Sequence, residues 1–190
     1  MATYSKKKQT RQNRHRGFST QIPVLSEEEM YQLLAEHNCP FILALDQVQD
    51  PHNLGAIMRS ADASGVDVVV APKKGAPPIT ETVRHIACGG AEHVPYVQVS
   101  NLANALRKFR ELEIRIVATS DHKGSISLFD CDFAGPVAVV MGAEAAGVRR
   151  LTAELSDDLV KIPMSGEVDC LNVSVATGVT LFEAVRQRHR

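Results

Sequence analysis

The chain has 190 residues, of which 44% are hydrophobic and 23% are charged, and its formal net charge is −1. This length and hydrophobic content suit one domain with a substantial core and a short appendage. No apolar run is long enough to cross a membrane and no secretory signal pattern opens the chain, so we expect a cytoplasmic protein.

The net charge hides a strong asymmetry between the first residues and the rest. Residues 1–16 contain no acidic residue and six basic ones: Lys6, Lys7, Lys8, Arg11, Arg14 and Arg16. The remainder holds 15 Lys and Arg against 22 Asp and Glu, a net charge of −7. Such a polar basic segment cannot bury a core, and we expect a flexible arm. The arm either binds phosphate groups by releasing their counterions or is only a solubilising tail.

Past the arm, helical and apolar strand-like segments alternate. Ser26 and Glu29 have the spacing of a capping box, which predicts a helix to about Glu36. Strands are predicted at Phe41–Leu45, Val66–Ala71, Val94–Val99, Ile114–Thr119, Pro136–Met141 and Leu159–Ile162. Helices are predicted at Asn53–Ser64, Ile79–Cys88, Leu102–Glu111, Val148–Leu155 and Val173–Arg188.

This alternation, with strands rich in Val and Ile, predicts an α/β fold with a parallel sheet and helices on both faces. We expect residues 1–40 to form the basic flexible arm, a short helix and a linker. Residues 41–190 are predicted to form one domain. Its last helix carries Val175, Val179, Phe182 and Val185 on one apolar face.

No known phosphate cradle follows the first predicted strand. The segment after Leu45 has neither GxGxxG nor GxxxxGK[ST], so a ligand must bind elsewhere. Parallel sheets bind ligands beyond the carboxyl ends of their strands, which points to the loops after Leu45, Thr119, Met141 and Ile162. The four scattered cysteines form no CxxC pair, and the seven histidines have no ligand spacing. We therefore predict neither a metal site nor a disulfide framework, and we expect the cysteines to be buried.

Three of these loops carry the candidate functional residues. Asn53 is suited to cap the helix that contains Arg59. Arg59 is either a solvated surface charge or, as its apolar neighbours Ile57 and Met58 favour, a partly buried residue beside an anionic partner. Glu144 lies directly after an apolar strand, where a carboxylate is costly to bury unless it is paired. The third loop runs from Pro163 to about Asn172, whereas such connections usually take roughly two to six residues.

Three segments resemble the signature motifs of the SpoU/TrmH family of RNA ribose 2′-O-methyltransferases, within the SPOUT superfamily. They read NLGAIMRSA at 53–61, VVMGAEAAG at 139–147 and IPMSGEVDCLNVSVA at 162–176. The segments at 83–92 and 181–186 are most similar to members that methylate a guanosine of large-subunit ribosomal RNA. Those members carry an additional N-terminal RNA-binding domain, for which the residues before the first strand are too few. Transfer RNA therefore stays open as an alternative substrate.

The resemblance implies a deep C-terminal trefoil knot that binds S-adenosylmethionine mainly through backbone groups. It places cofactor contacts at Thr119, Gly142, Ile162, Met164 and Leu171. It makes Arg59 the catalytic arginine, beside the ribose hydroxyl and the adjacent phosphate. It completes the site with Asn53, Glu144, Asn172 and Ser174. It also implies RNA as the partner, no metal, and a homodimer that uses the final helix.

Two other hypotheses stay open. One is a catalytically silent RNA-binding or ribosome-assembly factor with the same fold, against which the presence of all five proposed catalytic residues argues. The other is an α/β protein that binds a cofactor but no RNA, against which the basic arm and Arg59 argue. His52 and His85 are candidate proton acceptors, although a lone histidine is more often structural. We predict a S-adenosylmethionine-dependent RNA 2′-O-methyltransferase.

Overall fold

The computed structural model describes residues 25–122, 124–143 and 147–189. The strands in these ranges are β1 (Phe41–Asp46), β2 (Val68–Pro72), β3 (Tyr96–Val99), β4 (Arg115–Thr119), β5 (Ile126–Ser127), β6 (Val137–Gly142) and β7 (Asp158–Lys161). The helices are α1 (Glu27–Glu36), α2 (Pro51–Ser64), α3 (Glu81–Ala87), α4 (Gly90–His93), α5 (Leu102–Glu111), α6 (Arg150–Leu155) and α7 (Val173–Arg188). A 3₁₀ turn spans Leu128–Asp130.

The strands form one parallel sheet in the order β3-β2-β1-β6-β4-β7-β5. β1 and β6 pair along their whole length, from Phe41 opposite Val137 to Asp46 opposite Gly142. Every residue of both strands is buried, as expected for a parallel sheet covered on both faces. The predicted α/β fold, with helices on both faces, is confirmed.

Two hydrophobic cores lie on the two faces of the sheet. Successive side chains of a strand point to opposite faces, so β1 contributes to both cores. Leu43 packs in one core with residues of α2, α3, α4 and α7, including Leu54 and Leu181. Ile42 packs in the other with residues of α1, α5 and α6, including Met30 and Phe109.

The predicted ends of the helices and strands lie within two residues of the observed ones. The capping box of α1 is present, with both reciprocal bonds between Ser26 and Glu29. The short β5 and α4 were not predicted, because they are too short to show a hydrophobic period.

The start of α2 differs from the prediction in one respect. Asp50, not Asn53, caps this helix, accepting a bond from the His52 backbone N–H at 3.0 Å, and Pro51 occupies the first helical position. An Asp cap followed by Pro is a strong helix start, since Pro at the first position gives up no hydrogen bond. Asn53 therefore lies inside the first turn, and its side chain does not act as the cap.

The segment 162–172 crosses half of the sheet. It leaves β7, which β4 and β6 separate from β1, and three strand spacings amount to roughly 14 Å. At its end the Asn172 Nδ2 donates to the Asn53 Oδ1 at 3.0 Å, just beyond β1. At the far end of α7, the Arg188 Nη2 donates to the carbonyl of Cys39 at 2.8 Å, just before β1. The crossing explains the unusual length of this loop.

The cysteines do not follow the expectation of burial. All four are free thiols, but Cys88 and Cys170 are exposed and Cys39 is half-buried. Cys131 is buried, and burial raises the pKa of its thiol to about 11. Cys88 ends a helix and Cys170 lies in the crossing loop, so local position decides their exposure.

No helix of the described ranges is long and apolar enough to span a membrane.

Candidate active site

Three of the predicted cofactor residues lie at the carboxyl ends of neighbouring strands. Gly142 ends β6, Thr119 ends β4 and Ile162 follows β7, and these three strands are adjacent in the sheet. The Thr119 Oγ1 donates to the carbonyl of Val140 at 3.3 Å, which fixes this side chain at the edge. Ligands of open parallel sheets bind outside such strand ends. The fold therefore brings these residues to one edge suited to a ligand.

Gly142 is needed for the shape of the loop after β6. The backbone of Ala143 exchanges two hydrogen bonds with that of Gly147, at 3.1 and 2.9 Å, so the chain folds back over Gly142. A Cβ on Gly142 would lie 2.1 Å from the carbonyl carbon of Gly147, where no side chain fits. The return is completed at Gly147, whose φ of 62° favours glycine.

A buried carboxylate, which was not predicted, holds the end of this loop that leads into α6. Asp46 ends β1 with 0% exposure. It accepts bonds from the Arg149 backbone N–H at 2.9 Å, the Arg149 Nε at 2.6 Å and the Thr152 Oγ1 at 2.7 Å. These bonds satisfy the charge and attach the start of α6 to β1. The signal was available, since Asp46 directly follows the apolar run FILAL.

Three of the predicted catalytic residues form one hydrogen-bonded group. The Asn172 Oδ1 accepts from the Ser174 backbone N–H at 3.0 Å and from the Ser174 Oγ at 2.6 Å. Its Nδ2 donates to the Asn53 Oδ1. Asn172 thus caps α7 and links the last motif to the first, and both amide side chains have a fixed orientation.

The crossing loop offers backbone groups at the same edge. Leu171 and Ile162 are half-buried, and Met164 is 37% exposed. Within the described ranges, no hydrogen bond of the protein engages the peptide groups of residues 164–171. These groups are available to a ligand, which is the requirement of backbone recognition.

Arg59 lies apart from this group, on another side of α2. It is six residues beyond Asn53, roughly 9 Å along the helix, and its side chain is exposed, not partly buried as expected. Its Nη1 donates to the Cys88 Sγ at 3.6 Å. Gly90 packs so closely against the backbone of α2 at this point that an added Cβ would lie 2.6 Å from the Met58 carbonyl oxygen. Apolar neighbours in sequence misled the prediction, since on a helix they face other directions.

Glu144 and the six basic residues of the arm, which were also candidates, lie outside the described residues. His52 and His85 are exposed. Among the residues described, no group of three or more His, Cys, Asp or Glu side chains is arranged to hold a metal ion.

Similar proteins of known structure or activity modify RNA. The 23S rRNA (guanosine-2′-O-)-methyltransferase RlmB of Vibrio parahaemolyticus is 48% identical over 177 residues, which cover 92% of this chain and 71% of that protein. An AdoMet-bound rRNA methyltransferase from Sinorhizobium meliloti is 32% identical with a TM-score of 0.74, covering 80% of this chain and 59% of that one. The A. aeolicus TrmH/SpoU tRNA modifying enzyme is 33% identical with a TM-score of 0.72, covering 85% of this chain and 84% of that one.

The fold and the three assembled motifs define an α/β RNA methyltransferase. The model of the SpoU rRNA Methylase family matches residues 40–182, and the chain belongs to this family. The family and the enzyme class predicted from the motifs are confirmed, as is the similarity to the methyltransferases of ribosomal RNA guanosine.

Proposed function

We propose that the chain transfers a methyl group from S-adenosylmethionine to a ribose 2′-hydroxyl of a guanosine in ribosomal RNA. The observation that carries this proposal is the bond between Asn172 and Asn53, which joins the first and last motifs at the ligand-binding edge of the sheet. The 48% identity to RlmB favours ribosomal RNA over transfer RNA and favours an active enzyme over a silent binding factor. With that substrate, the protein works in the cytoplasm.

The residues at the sheet edge fit the cofactor. Thr119, Gly142 and Ile162 surround the carboxyl ends of β4, β6 and β7, and Met164 and Leu171 add apolar surface from the crossing loop. The unengaged peptide groups of residues 164–171 supply donors and acceptors for a polar ligand. When bound, S-adenosylmethionine supplies an electrophilic methyl group, and the reaction needs no metal.

The chain's own residues orient the ribose. A 2′-hydroxyl is a weak nucleophile, so it must be held in line with the methyl group and given a route for its proton. The group formed by Asn53, Asn172 and Ser174 presents amide and hydroxyl groups in fixed positions for this task. Arg59 holds the adjacent phosphate and stabilises the developing alkoxide, because a guanidinium offers several N–H donors in a fixed geometry and no acceptor. We assign Glu144 a role in positioning Arg59 or a backbone amide.

We also propose a homodimer. Val175 and Phe182, seven residues apart on α7, are 52% and 50% exposed and are not used for packing within the chain. Val179 and Val185, which were predicted on the same face, pack against the core instead. A second copy that covers this face would come close to α2, which packs beside α7. It would bring Arg59 of one copy towards the motifs of the other, which explains why Arg59 lies apart from them in one chain.

A trefoil knot is proposed for the C-terminal part. The support is the crossing of residues 162–172 from β7 past β4 and β6 to α2, beside the folded-back loop after β6. The basic arm of residues 1–16 is proposed to bind RNA phosphates, because it holds six basic residues and no acidic one.

Methyl transfer from labelled S-adenosylmethionine tests the proposal. Wild-type protein, Arg59→Ala and Arg107→Ala are incubated with ribosomal RNA or with transfer RNA. Arg107→Ala is the matched control. Arg107 is an exposed arginine on α5, which packs on the face of the sheet opposite to α2, and it donates to the Asn104 side chain. We expect Arg59→Ala to slow transfer by about 10²-fold or more, as for other lost transition-state donors. Arg107→Ala should match the wild type, and cofactor affinity should be unchanged in both.

Each part of the proposal has its own contrary result. Wild-type protein that binds the cofactor but methylates no RNA would show that the chain is not an active enzyme. Transfer to transfer RNA alone would replace the proposed substrate. Equal rates for Arg59→Ala and wild type would remove Arg59 from the mechanism.

A further inference from the structure

Most basic side chains in the described ranges are neutralised within the chain. Seven of them form ion pairs with carboxylates: Arg84, Lys108, Arg110, Arg115, Arg149, Arg150 and Arg186. Arg107 donates to an amide and Arg188 to backbone carbonyls. Within those ranges, the basic residues without a carboxylate partner or such a contact are Arg59, Lys73, Lys74 and Lys161.

Three of these cations lie at one edge of the sheet, since Lys73 and Lys74 directly follow β2 and Lys161 ends β7. Arg59 lies farther along α2, the helix that follows β1. The edge is the one at which the three motifs meet. The part of the chain after residue 16 has a net charge of −7, so unneutralised cations at one edge mark a surface for an anionic partner.

Lys73 and Lys74 begin a loop of residues 73–78, which we call the lysine loop. Three bonds to β3 hold it: the Lys73 backbone N–H to the Val99 carbonyl at 2.8 Å, Gln98 Nε2 to the Ala76 carbonyl at 3.3 Å, and Tyr96 Oη to the Pro77 carbonyl at 2.9 Å. Burial raises the pKa of the Tyr96 phenol, so it stays a donor at neutral pH. Both lysine side chains are nevertheless exposed. The loop is therefore ordered before a partner binds, which lowers the entropy cost of binding.

The lysine loop lies beside the loop that leads to Asn53. β2 pairs directly with β1, at roughly 4.8 Å between strands. Gly75 is close enough to Gln49 that an added Cβ would lie 3.9 Å from the Gln49 Nε2. The neighbouring acids Asp50 and Glu81 begin α2 and α3, where negative charge is matched by the helix N-terminus. A chain of phosphates that enters the active site can therefore continue over the lysine loop.

We propose that Lys73 and Lys74 bind RNA phosphates next to the methylated nucleotide, so that the RNA-binding surface extends from the active site across the carboxyl ends of β2 and β3. This inference rests on the proposed function, since it takes RNA as the substrate. The loop carries no base-reading role, because two lysines contribute charge rather than a fixed hydrogen-bond pattern.

RNA affinity at several salt concentrations tests the inference in the full chain. The double variant Lys73→Ala/Lys74→Ala is compared with Lys73→Arg/Lys74→Arg, which keeps both charges. The control is Lys108→Ala/Arg110→Ala on α5, where both basic side chains already have carboxylate partners. Loss of two phosphate contacts should reduce the slope of log affinity against log salt by about 1.5 and weaken binding about tenfold near 0.1 M salt. The KM for RNA should rise by a similar factor, while the rate at saturating RNA and the affinity for S-adenosylmethionine stay constant. The arginine pair and the α5 pair should bind like the wild type.

Two results would overturn this inference but not the proposed function. One is an unchanged salt slope for the alanine pair in an active enzyme, and the other is an equal loss of RNA affinity in the α5 control. A wild-type protein without RNA methylation would instead count against the proposed function, and the salt slope would still decide the role of the lysine loop.

Discussion

The absence of a side chain at Gly142 shapes the loop after β6. We predict that Gly142→Ala lowers the free energy of unfolding by about 1–3 kcal/mol, the usual cost of overpacking, because its Cβ would collide with the Gly147 carbonyl carbon at 2.1 Å. It should also weaken S-adenosylmethionine binding, since the loop at the cofactor edge must move. Gly178→Ala on α7 is the control, because its added Cβ would lie 3.8 Å from the Ser60 Oγ, an ordinary contact. Chemical denaturation and calorimetric titration measure both effects, and a Gly142→Ala protein with wild-type values for both would contradict this account.

At the same scale, the sequence identified site residues better than it identified their roles. Asn53 was expected to cap a helix, and its side chain instead accepts a bond from Asn172. Gly55, in the same motif, allows close packing of α3 on α2, because a Cβ on it would lie 2.7 Å from the Ile86 Cβ. Residue type and position predict that a residue matters, whereas its partner depends on tertiary contacts that no local pattern contains.

Among the elements, the connection between β6 and α6 depends on the buried Asp46. We predict that Asp46→Asn destabilises the fold by about 2–3 kcal/mol, since hydrogen bonds to a charged acceptor are lost and an amide would face the Arg149 donors. Glu154→Gln on α6 is the matched control: its ion pair with Arg150 is exposed and should contribute less than about 1 kcal/mol. Urea denaturation compares the two. A smaller effect for Asp46→Asn than for Glu154→Gln would show that this carboxylate does not hold the loop.

The elements themselves were predictable because their signals are local. A hydrophobic period, a capping box at Ser26 and the Val- and Ile-rich strands predicted helices and strands without tertiary information. The strand order was not predictable, because it depends on which strands pair across large separations. The central pairing of β1 with β6 joins segments about half the chain apart. Only this order explains why the loop after β7 must be long.

For the whole molecule, the exposed face of α7 predicts self-association. Val175→Glu/Phe182→Glu should convert a dimer into a monomer, because two buried charges would oppose contact between the copies. Leu151→Glu, a 43% exposed position on α6, should leave the dimer intact. Light scattering coupled to size exclusion gives the mass of each protein. A monomeric wild type, or a double variant of unchanged mass, would rule out this face as the interface.

The bond between Asn172 and Asn53 joins residues 119 positions apart, and this separation sets an order in time. During synthesis Asn53 is made early, and its partner Asn172 follows 119 residues later. Contacts this distant in sequence form late and slowly, since the chain entropy of closing the loop comes before any stabilisation. Incomplete copies that lack α7 therefore have no assembled site. The methyl transfer proposed for this chain would therefore require a molecule in which α7 has been made and has packed beside α2.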